Sequence, residues 1–73
     1  MAEQPDDLKK LVAVATDLGL SAELRTKAIK LIGNIGTYDA LLALLNLAAN
    51  EQLTKKEREL ALKHAMEIVK AGH

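Results

Sequence analysis

A shift of 33 residues lays positions 6–38 of this chain on positions 39–71 without a gap. Nine of the 33 pairs are then identical: Asp6/Asp39, Leu8/Leu41, Leu11/Leu44, Ala15/Ala48, Leu20/Leu53, Arg25/Arg58, Ala28/Ala61, Lys30/Lys63 and Ile35/Ile68. Most are apolar residues at helical spacing, so whatever residues 6–38 form, residues 39–71 must form too. The predicted organisation is a tail at 1–5, expected to be disordered, then one repeat over 6–38 and a second over 39–71, together a single domain over 6–73.

Each unit reads as a pair of helices. Leu8, Leu11, Val12 and Ala15 fall on one helical face. Pro5 and Asp6 suit the start of that helix, and Gly19 is its expected stop. Ser21 is a candidate N-cap for a second helix carrying Leu24, Ala28, Leu31, Ile32 and Ile35. Gly36 is placed to end that helix in the left-handed conformation. In the second unit, Asp39 opens a helix reaching about Ala49. Thr54-Lys55-Lys56-Glu57 has capping-box spacing for a last helix reaching about Ala71. No segment alternates with period two, so the expected class is all-α.

The composition narrows the chemistry. Apolar residues make up 49% of the 73, enough for a core, but Tyr38 is the one aromatic and cysteine is absent. A base-stacking platform needs aromatics, and disulfides, thiolate metal sites and thiol nucleophiles need cysteine. Met1-Ala2-Glu3-Gln4-Pro5 lacks the pattern of a signal peptide, and the longest apolar run, Ala40–Leu45, is too short to span a bilayer. The expected setting is the cytoplasm. The stretch Gly33-Asn34-Ile35-Gly36 has the spacing of a loop that clamps a nucleic-acid backbone in KH domains. That use requires a neighbouring sheet, which this sequence does not supply. Gly33 is therefore expected to admit a close helix, and Gly36 to cap one.

The stretch "ELRTKAIKLIGNIGTYDALLALLNLA" resembles the HEAT-like repeats of the phycobilisome-lyase type. Leu24-Arg25, Ala28, Leu31-Ile32-Gly33, Ile35-Gly36, Ala40-Leu41 and Leu44 carry the likeness, and Arg58, Ala61, Ala65 and Ile68 carry it more loosely. Thr37 stands where the family usually has Asp. The resemblance implies two antiparallel helix pairs, four helices in all, stacked as a short right-handed α-solenoid. The first helix of each pair would be convex and the second concave. It also implies a structural role for Arg25 and Arg58, bonded to turn residues among Asp17, Asp39 and Asn50.

Paired positions bear on the ends of such a stack, where outer faces must be polar. Leu42, Ala43 and Ala49 of the third helix correspond to Lys9, Lys10 and Thr16 of the first. Leu24 and Leu31 correspond to Glu57 and His64. The expectation is a surrounded third helix, polar faces at both ends, and a complete two-repeat unit, monomeric or weakly dimeric.

No nucleophile, phosphate-binding loop or dinucleotide fingerprint is present. His64 and Glu67 lie three apart on one helix, but bundle metal sites draw such pairs from several helices. The metal-binding HEAT-like hydroxylases carry repeated His-Glu dipeptides, which this chain lacks. His73 lies at the chain's end. The expectation is no enzyme, no catalytic residue, no metal and no cofactor.

Charge is zero overall but segregated. Residues 1–20 and 37–53 each carry two more acids than bases, whereas 21–36 and 54–73 each carry two more bases than acids. The second helix of each repeat is the basic one. Lys27, Lys30 and Asn34 share a direction on one such helix. Lys56, Leu60 and Lys63 share one on the other. These six residues are the expected partner-binding set for an acidic protein or peptide. A nucleic-acid contact through the same groove is the weaker alternative, because nucleic-acid domains usually carry a marked basic excess. A stand-alone helical scaffold, natural or engineered, is the remaining one.

Overall fold

The computed structural model describes residues 4–72, with side chains from Asp7 onward. It contains four helices, α1 (Gln4–Ala15), α2 (Ala22–Ile35), α3 (Tyr38–Ala48) and α4 (Lys55–Lys70), and no strand among the described residues. The predicted tail therefore falls on residues 1–3, which lie outside the described ones, and on Gln4 and Pro5, which open α1.

Local chemistry sets the boundaries. Ser21, Thr37 and Thr54 cap α2, α3 and α4, each hydroxyl accepting the backbone N–H three residues on. Such a bond satisfies one of the donors a helix leaves orphaned at its start. Thr37 moves the start of α3 ahead of Asp39, which becomes a first-turn acid. At α4 the Glu57 carboxylate also accepts the Thr54 N–H, closing the box. Gly36 ends α2 at φ 69°, a value at which a Cβ meets the following carbonyl oxygen. Gly19 does not stop α1 in this way. The helix ends at Ala15, and Asp17 turns the chain by accepting the Gly19 N–H at 2.9 Å.

The connection between the helices of each pair is the same object twice. Asn50 accepts the Gln52 N–H at 2.9 Å, as Asp17 does for Gly19. The Leu20 N–H reaches the Asp17 carbonyl and the Leu53 N–H reaches the Asn50 carbonyl. These Asx turns lie 33 residues apart, so the sequence repeat is also a repeat of backbone hydrogen bonds.

α1 packs on α2 and α3 on α4. The pairs meet chiefly where α2 lies against α4, with α2 also touching α3, while α1 barely meets α3. Ile29, Ile32 and Leu44 are fully buried at the centre, with Ala15, Ala28, Ala40, Ala61 and Ala65. Alanines at so many contact positions let helix axes approach closely, which is how a short chain whose one aromatic, Tyr38, is exposed fills its interior.

The expected ends are corrected. α3 is not surrounded: Leu42 and Leu45 are both well exposed. Glu57 and His64 do not form a polar outer face. Glu57 is buried against Arg25, and the His64 ring lies against Gly33, so both face α2. Their counterparts Leu24 and Leu31 are about half exposed, as are Leu62, Met66 and Val69 on α4. The reason is positional. Residues 24 and 31 mark the side of a repeat that faces the one before it. In the second repeat that neighbour is the first, which offers an arginine and a glycine, so polarity there builds an internal interface. Lys9 and Thr16 likewise line a groove shared with α3, whereas Lys10 lies with Leu31 and Ile35 on the far side of the first pair.

Candidate functional site

Lys27, Lys30 and Asn34 are exposed on α2, and Lys56 and Lys63 are exposed on α4. At about 100° per residue, the three α2 residues span a narrow arc pointing away from the core residues Ala28, Ile29 and Ile32. Lys56 and Lys63 occupy the corresponding arc of α4, pointing away from Ala61, Ala65 and Ile68. Because α2 and α4 pack against one another, their outward arcs form one surface, which also carries Glu23 and Glu67. Leu60 differs from its expected place on the solvent stripe. It is half-buried and packs against the core. Its position is about 40° from Lys56 on the wheel, toward α2, which turns it into the seam between the helices.

Of the turn residues expected to hold the two arginines, Asp17 meets Arg25 through its backbone oxygen, while the main partners are others. Nε and Nη2 of Arg25 donate to Oε2 of Glu57 at 3.2 and 2.9 Å, and Nη1 donates to the carbonyls of Leu20 and Asp17 at 2.6 and 3.5 Å. The Asp17 carboxylate is occupied by its own turn, so only its backbone oxygen reaches the guanidinium. Arg58 donates from Nε to the Ala48 carbonyl at 3.3 Å and is half-buried. Glu57, the acid that answers Arg25, had its capping-box spacing as its sequence signal. Its long-range partner had none.

Burial pushes the Glu57 carboxyl up, but hydrogen bonds from Arg25 and from the Thr54 N–H, together with the Arg25 charge, outweigh that effect and hold it below its ordinary value. A carboxylate fixed in this way is a structural anion, unsuited to exchanging protons with a substrate near neutral pH.

Gly33 marks a close approach between α2 and α4. A Cβ placed there would lie 2.8 Å from His64 Nδ1 and 3.0 Å from His64 Cβ. His64 Nδ1 also lies 3.2 Å from Glu67 Oε1. Among the described residues no three His, Asp or Glu side chains gather as metal ligands, and His73 lies outside them. A groove of about 430 Å³ runs between α1 and α3, lined mainly by Leu8, Val12, Leu42 and Leu47, with Lys9 and Asp39 in its walls. Among the described residues no helix is long and apolar enough to cross a membrane.

No family model, curated protein or solved structure matches this chain.

Proposed function

We propose that this chain is a small HEAT-like interaction module: two antiparallel helix pairs stacked as a short right-handed solenoid that receives an acidic segment of another protein across α2 and α4. The observation that carries the reading is the shared lysine-bearing surface of those two helices. The unequal packing of the pairs supports the curvature. α2 lies close on α4 whereas α1 barely meets α3, as expected of a stack whose second helices line the inner side. On this reading the module acts by binding alone, as a cytoplasmic adaptor or scaffold, with no cofactor and no catalytic group.

The contact would be weak and salt-sensitive. Exposed ion pairs contribute about 0.2–1 kcal/mol each, so four lysines support dissociation constants of about 1 mM at the tightest, weakening further as salt screens them. The test is a fluorescence-anisotropy titration with a labelled oligoglutamate peptide at low salt, beside a Lys27→Glu/Lys30→Glu/Lys63→Glu variant whose helicity is checked by circular dichroism. Binding by the parent that disappears in the folded variant is the expected result. Equal binding by both would remove the α2–α4 surface from consideration. Tighter binding of a short DNA duplex than of the peptide, with a steep salt slope, would favour the nucleic-acid alternative.

A further inference from the structure

Since one half repeats the other, the first half shows what the second half leaves uncovered. Ile29 is 0% exposed, whereas Leu62, 33 residues on, is 47% exposed. Ala15 is buried and its counterpart Ala48 only half-buried. Arg25 is sealed by Glu57, while Arg58, Ala48, Lys55, Glu59 and Leu62 line a hollow of about 380 Å³. Met66 and Val69 are 49% and 50% exposed. With Leu62 they form an apolar stripe along α4 at spacings of four and three, on one helical face.

The first half of another copy does not fit this face. Carried forward by one repeat, the residue meeting Arg58 would be Leu24, leaving a covered guanidinium without the carboxylate that Arg25 has. Where Gly33 makes room for His64, Met66 fills the space. A stripe that rejects head-to-tail stacking still matches itself reversed.

We propose that the outer face of α4 is a homodimer interface, in which two copies pair α4 against α4 in antiparallel about a two-fold axis. Leu62 and Met66 then interleave with the partner's Met66 and Val69. In an antiparallel two-fold pair, each edge of the stripe meets the same edge of the other copy. Counted from Lys55 at about 100° per residue, Glu59 and Lys70 lie about 20° apart on one edge. Glu59 therefore faces the partner's Lys70, and the reciprocal pair forms at the other end. On the opposite edge Arg58 lies toward the C-terminal end of the second α4, where the last carbonyls carry the negative pole of the helix. Such an isologous contact closes at two copies and builds no filament.

Sedimentation velocity of the whole chain, run from micromolar to about 1 mM, tests this. The expected result is a concentration-dependent monomer–dimer equilibrium without larger species. Met66→Glu should shift it to monomer with helicity unchanged, and Leu31→Glu, on the other side of the molecule, should leave it intact. Glu59→Lys and Lys70→Glu should each weaken the dimer about fivefold, and the charge-swapped double variant should recover the parent's affinity. Three results would overturn the proposal: a parent that stays monomeric throughout, a ladder of oligomers abolished by Leu31→Glu, or a double variant as weak as either single one.

Discussion

The Arg25 guanidinium lies 2.9 Å from the Glu57 carboxylate across the seam between the two halves, with side chains only 10% and 2% exposed. The two carboxylate oxygens divide the work. Oε2 takes Nε and Nη2 of Arg25, and Oε1 takes the Thr54 N–H that starts α4. One residue thus begins a helix and fixes that helix to the opposite half.

Removing either charge should therefore be costly. Glu57→Ala or Arg25→Ala leaves its partner buried and unanswered, at a cost of about 3–5 kcal/mol. A domain of this size is stable by only about 4–11 kcal/mol, so urea unfolding should show a greatly lowered midpoint or an unfolded chain. Replacing both with Met should recover much of the loss, because no buried charge then remains. A double variant no more stable than Arg25→Ala would show that the pair does more than neutralise itself.

Stability should fall in acid through the same residue. Glu57 titrates below its ordinary value of 4.5, so its contribution is fully present above that pH and is lost as pH falls through the lower, folded value. The stability gap between the parent and Glu57→Gln should accordingly be wide at neutral pH and narrow below pH 4.5. Denaturant titrations at a series of pH values measure this, and a gap constant down to pH 3 would exclude the Glu57 charge as its source.

Gly33→Ala separates helix propensity from packing. In an open helix interior the change would stabilise by about 1 kcal/mol. Here the added methyl meets His64 at 2.8–3.0 Å, including the His64 Cβ, which cannot move without its helix. The expected sign is destabilising in the parent and stabilising in a His64→Gly background, which removes the Cβ along with the ring. A thermal-unfolding double-mutant cycle reads the difference, and equal effects in both backgrounds would mean that α4 shifts freely.

Gly36 tests the backbone alone. At φ 69° an alanine should cost about 1–2 kcal/mol, and asparagine, which tolerates this conformation, should cost less. Urea midpoints of the two variants should fall in that order.

Much of the architecture was legible before any coordinate. Helix starts at Ser21 and Thr54, the left-handed end at Gly36 and the repeated apolar faces all depend on neighbours within a turn or two. The cap at Thr37 is less legible, because Thr stands there in place of the Asp of the HEAT-like pattern, although its hydroxyl accepts the Ala40 N–H. The lysines of the proposed surface were readable too, since a charged side chain needs no partner to stay in water. Leu60 was misplaced because a wheel gives direction about one axis and says nothing of which neighbour lies there.

The sequence by itself determined the all-α class, the four helices and their 33-residue period, because hydrogen bonds along a helix and its caps join residues no more than a few positions apart. Only the tertiary structure decided which polar residues were caps to solvent and which were interface. Glu57 and His64 read as an outer face and are an inner one, and Leu62, Met66 and Val69 are left exposed in their place. The deciding contacts join residues about 32 apart. Whether a charge is hydrated or buried against its opposite depends on how two helices pack, which no local pattern encodes.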